Sequence, residues 1–202
     1  MHIETDLKLD FRDVLIRPKR SVLASRLEAD VTRSFRFLHS KVEWAGFPLI
    51  ASNMDTIGTF SMAKALSQSK ALVALHKYYG EQQLVDFFRS DVSQHAFFTI
   101  GTSAADWEKL AKVREQVAVP MINIDVANGY TQQFLDAVAR LRSENPNAVI
   151  MAGTVVTAEM TEALLLAGAD IIRIGIGSGS VCTTRDLTGV GFSWRVDRDI
   201  LE

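Results

Sequence analysis

The most reactive feature of this sequence is one sulfur and the loop around it. Cys182 is the only cysteine, so it has no intramolecular disulfide partner; it follows Gly175-Ile176-Gly177-Ser178-Gly179-Ser180-Val181 and precedes Thr183, Thr184 and Arg185. A thiol becomes a nucleophile by losing its proton, and a guanidinium close in sequence, here Arg185, favours the thiolate. The same residue types have plainer uses. A lone cysteine is a common small core residue, a threonine pair serves many strand ends, and closely spaced glycines mark a tight turn. Other groups able to do chemistry are Asp125, which ends an apolar run, and the cations Arg26 and Lys77, which can meet phosphate. By composition alone Arg26 reads as a surface charge. His76 also ends an apolar run and reads as a hydrogen-bonded strand-end residue rather than a base. The histidines His2, His39, His76 and His95 show no zinc-ligand spacing, so no structural zinc is expected.

Composition narrows the classes. With 48% hydrophobic and 23% charged residues the chain is neither disordered nor collagen-like. A net charge of −2 gives no general reason to bind nucleic acid, and the basic cluster Arg17, Lys19, Arg20, interrupted by Pro18, reads as a solvated face. No apolar stretch approaches the roughly 20 residues that span a bilayer, and the first ten residues lack the apolar run of a signal peptide. The expectation is a soluble, cytoplasmic protein with neither a membrane nor a nucleic-acid partner.

The elements that must position these residues follow from hydrophobic periodicity. Short apolar runs without polar alternation recur at roughly 24-residue intervals, at Phe47 to Ala51, Ala71 to Leu75, Phe97 to Ile100, Met121 to Ile124, Val149 to Ala152 and Ile171 to Ile174. Such runs suit strands covered on both faces of a parallel sheet. Amphipathic segments separate them. Ser103 can cap a helix that aligns Trp107, Leu110, Val113 and Val117, with Pro120 beyond its end. A second helix is expected from about Thr131 to Arg142 with Phe134, Val138 and Leu141 on one face, and a third from near Thr157, aligning Met160, Leu164 and Ala167 and stopping at Gly168. In the first 45 residues, Phe35 and Phe37 alternate with Ser34 and Arg36, the signature of a hairpin in an N-terminal extension.

Alternating strands and helices at this period mean repeated βα units, in a (β/α)8 barrel or an open doubly wound sheet. The polar and glycine-containing segments Ser52 to Asp55, His76-Lys77, Gly101-Thr102, Asp125 to Asn128, Gly153-Thr154 and Gly175 to Thr184 all follow strands, where a barrel gathers its active site. No GxGxxG follows an early strand, so a dinucleotide fingerprint of the doubly wound kind is not expected. A full barrel takes about 250 residues. This chain holds six units in 202 residues, so either the sheet is open after all or the barrel is truncated.

Gly177 to Arg185, followed by Thr188-Gly189-Val190-Gly191, closely resembles the catalytic loop of the IMP dehydrogenase and GMP reductase family. Leu7 to Ser21, Asn53 to Phe60, His76 to Tyr79, Asp125 to Tyr130 and Met151 to Thr157 resemble the GMP reductase branch, in matching order and spacing. There is also no room between the second and third units for the regulatory insert common in IMP dehydrogenases. The resemblance covers about residues 3 to 192. Departures are Ser178 where the family usually has Pro, Thr154 where it has Asn, and Tyr78 where it has His. Ser193 to Glu202 does not look like the family's continuation, which suggests truncation or a frameshift. The resemblance thus implies one partial barrel domain over 1–202: an extension over 1–45, βα units one to six with the catalytic loop over 46–192, and a divergent tail over 193–202.

The resemblance implies a (β/α)8 fold and NADPH-dependent conversion of GMP to IMP and ammonia in purine salvage, by a homotetramer. It assigns Cys182 as the nucleophile that forms a covalent thioimidate at C2 of the purine. Thr184 would move a proton to the departing ammonia with a glutamate beyond this chain's end. Ser180 would touch the substrate phosphate. Carbonyl groups at Gly177, Gly179, Cys182 and Arg185 would hold K+, and Ser25, Arg26, Lys77, Asp125, Val126 and Ala127 would surround NADPH. Two other outcomes stay open at this point: IMP dehydrogenase chemistry on the same thioimidate, and an inactive fragment serving as an interaction module. Without the last two units, strands one and six are left as open edges and the apolar barrel interior is expected to be exposed, so little turnover is expected of the isolated chain.

Overall fold

In a computed structural model of the chain, the described residues are 15, 17–177, 182, 187 and 190–192. A hairpin of β1 (Arg33–Arg36) and β2 (Glu43–Gly46) comes first, antiparallel, with Phe35 opposite Trp44. There follow β3 (Ile50–Ala51), α1 (Phe60–Ser67), β4 (Leu72–Ala74), α2 (Glu81–Phe88), β5 (Ala96–Ile100), α3 (Ala104–Arg114), β6 (Met121–Asp125), α4 (Gln132–Glu144), β7 (Val149–Val155), α5 (Ala158–Leu166) and β8 (Ile171–Ile174). Strands β3 to β8 pair in sequence order, all parallel. This is the expected alternation, and each apolar run carries one strand. The first run yields only two paired residues, because Pro48 within it has no N–H to give to a ladder.

Local chemistry sets the helix starts. Thr59, Ser103, Thr131 and Thr157 each accept a hydrogen bond from the backbone N–H three residues on, satisfying an amide that the helix leaves unpaired. At α2 the N-cap is Gly80, and Gln83 Oε1 accepts its N–H at 2.9 Å instead. Helix α3 ends earlier than its apolar pattern suggests: Val117 lies beyond Arg114, in a turn where its N–H still reaches the Val113 carbonyl at 3.0 Å. Helix α5 stops before Gly168, whose φ of +108° is open to glycine, and a Cβ there would lie 2.6 Å from Arg142 Cγ.

The sheet has a helix-covered face and an inner face. Toward the helices point Val73, Leu75, Phe98, Ile100, Ile122, Ile124, Ile150 and Ala152, packed with Leu110, Val113, Phe134, Val138, Leu141 and Leu164. The inner face carries Leu72, Ala74, Phe97, Met121, Val149 and Met151. The sheet curls. Its outermost strands, β3 and β8, line one apolar groove with Phe37 and Trp44, and Arg173 of β8 reaches Asn53, just past β3, at 2.9 Å. The architecture is α/β, an incomplete (β/α)8 barrel.

The open interior expected of six strands is not what the chain shows. Phe97 and Val149 are fully buried and Met121 is 5% exposed, because Phe37, Val42 and Trp44 of the hairpin region pack across the inner face. The hairpin also reaches Gly46, one residue past the expected boundary of the extension. It is fastened by Asp170, which accepts the backbone N–H groups of His39 (2.8 Å), Ser40 (3.2 Å) and Ile150 (3.2 Å) and pairs with Arg142 at 2.6 Å. Among the described residues no helix is long and apolar enough to cross a membrane.

Candidate functional site

Three polar side chains meet where the inner face opens at the carboxyl ends of the strands. Inner-face positions rise in rows set by register: Thr99 beside Asn123 beside Met151, then Asp125 beside Gly153 beside Arg173. Lower rows are apolar. Asn123 Nδ2 donates to Thr99 Oγ1 at 3.1 Å, which begins the change to polar, and the top row is charged. Arg173 Nη1 donates to Asp125 Oδ1 and to Asn53 Oδ1, and Asn53 Nδ2 donates to Asp125 Oδ2 at 2.9 Å. The ring of contacts is closed, and its ion-pair members are each less than one third exposed. Gly153 makes it possible, since a Cβ there would lie 2.6 Å from Arg173 Cβ and 2.7 Å from its carbonyl oxygen.

Of the residues expected to surround a cofactor, Asp125 belongs to this cluster. Val126 follows it half-buried, its N–H on the Gly153 carbonyl and its own carbonyl on the Thr154 N–H, and Ala127 is exposed. The first turn after β6 is thus sewn to β7. Lys77 is exposed in the turn after β4. That turn is held from α3, where Lys109 Nζ donates to the carbonyls of Lys77 (2.9 Å) and Tyr79 (3.3 Å). Ser25 and Arg26 lie apart in a short 3-10 turn, Arg26–Glu28, in which Ser25 Oγ accepts the Leu27 N–H. Among the described residues no hydrogen bond or ion pair joins that turn to Lys77 or Asp125.

The segment that leads to Cys182 leaves β8 two residues after Arg173. Gly175 (φ +129°) and Gly177 (φ +69°) occupy the left-handed region that glycine alone enters freely, and the Gly175 N–H is held by the Val155 carbonyl at 2.8 Å. Farther on, the Phe192 N–H donates to the Ile176 carbonyl at 2.9 Å, so the two ends of the segment meet. Cys182 is half-buried. Gly179, Ser180, Thr184 and Arg185 lie outside the described residues.

Sequence reasoning missed Arg173, Asn53 and Lys109. Arg173 did leave a signal: a charge inside an otherwise apolar strand is rarely buried without a partner. Asn53 enters the sequence reading only within a strand-end polar segment and a family-like motif, with no role of its own, and Lys109 looks like any cation on an exposed helix face.

Comparison with known proteins bears on the family and the fold. The sequence model of the family described as IMP dehydrogenase / GMP reductase domain matches residues 8–195. The chain is 52% identical over 198 residues to a GMP reductase of Klebsiella pneumoniae, and 52% identical over 196 residues to that of Edwardsiella ictaluri; each match takes in 95% of this chain and 56% of the relative. The crystal structure of inosine 5′-monophosphate dehydrogenase from Legionella pneumophila superposes with a TM-score of 0.76 at 28% identity, covering 92% of this chain and 56% of that one. The chain thus spans little more than half the length of the curated relatives it matches. With matched sequence over nearly all its residues and a shared curled βα architecture, it belongs to the IMP dehydrogenase / GMP reductase domain family.

Proposed function

We propose that this chain carries the nucleophile and cofactor side of a GMP reductase, which converts GMP to IMP and ammonia in cytoplasmic purine salvage. The observation that carries the reading is the shared location of two pieces of chemistry. The segment bearing Cys182 departs from β8 at the sheet end that holds the Asn53, Asp125 and Arg173 cluster. Identity of 51–52% to GMP reductases, against 28% to the dehydrogenase, favours reduction of GMP over oxidation of IMP.

The Cys182 thiolate adds to C2 of the guanine ring, Thr184 passes a proton to the departing amino group, and ammonia leaves behind a thioimidate on the sulfur. NADPH, held by Lys77 and the Asp125 to Ala127 turn, would supply the hydride that takes the place of sulfur at C2. Cys182 then departs as thiolate, so that GMP, NADPH and two protons give IMP, ammonium and NADP+. Division of one displacement into two easier ones is what covalent catalysis contributes.

Exposed Lys77 and the anchored Asp125, Val126 and Ala127 turn fit a charged dinucleotide: a cation for phosphate, a carboxylate for hydroxyl or amide donors. Ser25 and Arg26 would join them from the N-terminal extension. The left-handed Gly177 fits a sharply turned loop of carbonyl donors for K+, which with Gly179, Cys182 and Arg185 would fix the thiol's backbone. Ser180 would contact the substrate phosphate. We treat residues 1–202 as a single partial barrel domain and the assembly as a homotetramer.

The test is intact-mass analysis of the chain after incubation with GMP. A gain equal to GMP less ammonia, absent in Cys182→Ala and discharged by NADPH, is expected. Absence of the adduct, or NADH formed from IMP and NAD in its place, overturns the reading.

A further inference from the structure

Beside Lys77 the chain builds an unusual column of rings. Phe87 of α2 stacks on Phe60 of α1 (centroids 4.5 Å, planes 10° apart), Phe60 on Tyr79 (3.7 Å, 10°), and Tyr79 on His76 (4.0 Å, 17°). The column starts in the core, where Phe60, Tyr79 and Phe87 pack against buried residues, and runs outward. Its last member is Tyr78, 5.8 Å from His76 and tilted by 37°, with 72% of its surface exposed.

The backbone under that last ring is tightly held. The His76 N–H donates to the Gly58 carbonyl at 2.8 Å, and the Tyr78 N–H to His76 Nδ1 at 3.3 Å. Lys109 Nζ grips the carbonyls of Lys77 and Tyr79, on either side of Tyr78, and Tyr79 Oη accepts the Phe60 N–H at 3.2 Å. Every residue from 76 to 79 is thereby anchored, while the side chains of Lys77 and Tyr78 stay exposed. An aromatic ring kept in water on a rigid support forgoes the gain of burial, and gives up little further entropy when another ring covers it.

We propose that His76 and Tyr78 form a stacking platform for a flat heteroaromatic ring carried next to a phosphate, with Lys77 as the phosphate contact. A sandwiched ring needs roughly 7 Å between its neighbours, twice a stacking distance. The present separation is 5.8 Å, so the exposed Tyr78 side chain would turn outward to admit a ring between the two. Tyr78 stands where the family resemblance has histidine, so the larger ring is a trait of this chain. The inference rests on the cofactor reading of Lys77 above. A nicotinamide dinucleotide carries two such rings, nicotinamide and adenine, each joined through a ribose to phosphate.

The experiment is calorimetric titration of the full chain and its Tyr78→Ala, Tyr78→Phe and Tyr78→Trp variants with three probes: NADPH, reduced nicotinamide mononucleotide and adenosine 2′,5′-bisphosphate. Loss of one stacked ring is worth about five- to 150-fold in affinity. Tyr78→Ala is expected to weaken NADPH and one half-probe by that factor and leave the other half-probe unchanged, which identifies the ring. Tyr78→Phe and Tyr78→Trp are expected within twofold of wild type. If wild type binds NADPH and Tyr78→Ala stays within twofold for all three probes, or if Tyr78→Phe is as damaging as Tyr78→Ala, the platform is wrong and the cofactor reading stands. If wild type binds none of the probes, both fall.

Discussion

Arg173 pairs with Asp125 across the bare backbone of Gly153, and through the same Nη1 nitrogen it reaches Asn53 on the far side of the sheet. One guanidinium thus ties the strand that leads to Cys182, the strand that ends in the proposed cofactor turn, and the segment after β3. With both partners less than one third exposed, the pair is sheltered enough for its geometry to matter. Arg173→Met leaves the carboxylate with the Asn53 amide alone, and we expect a loss of about 1–3 kcal/mol in urea unfolding. A double-mutant cycle with Asn53→Ala should show coupling between the two sites. Strict additivity would mean that the three groups act independently.

Gly153 is the spacer of that arrangement. A Cβ would meet Arg173 Cβ at 2.6 Å and backbone oxygen at 2.7 Å, and a backbone atom cannot swing aside. Gly153→Ala should therefore cost about 1–3 kcal/mol as overpacking. In circular-dichroism melts it should reduce Tm more than Gly80→Ala, where the nearest atom, Gln83 Oε1, is 3.5 Å away.

Asp170 has a fully buried side chain facing Arg142 and three backbone N–H donors, two of them from the hairpin turn. Removing one partner of a buried pair strands the other. Asp170→Ala should cost about 3–5 kcal/mol. Hydrogen exchange should rise first at His39 and Ser40, whose amides lose their acceptor. Protection unchanged at those two amides would show that the hairpin is held by its apolar contacts alone.

His95 supplies a pH dependence. Burial, with a smaller push from the Lys70 charge and against an opposing hydrogen bond to the Ala71 backbone, lowers its pKa from the usual 6.5. Below pH 6.5 the unfolded chain therefore takes up a proton that the folded chain resists, so the stabilisation by neutral His95 is present above that pH and declines as pH falls toward the lowered folded value. Urea midpoints measured between pH 8 and pH 5 should drop across this window in wild type and drop less in His95→Gln. Equal slopes would assign the effect to other groups.

Much of the scaffold could be read directly. Runs such as Met121 to Ile124 have no polar alternation because both faces of those strands are covered, and Thr131 and Thr157 advertise helix starts because a hydroxyl oxygen can take an otherwise unpaired amide hydrogen. The glycines before Cys182 were legible for a similar local reason, since Gly175 and Gly177 adopt φ values that other residues avoid.

The amino-acid order by itself determined the strand and helix alternation, the hairpin and the single thiol in its glycine-rich loop, all of which depend on neighbours a few positions away. Only the tertiary structure decided that Arg173 meets Asn53 across 120 positions and Asp125 across 48, that Lys109 clamps the Lys77 turn, and that the hairpin covers the inner face. Such partners are chosen by sheet curl and strand register. In a strand buried on both sides, alternation carries too little polar contrast to announce which face a residue takes.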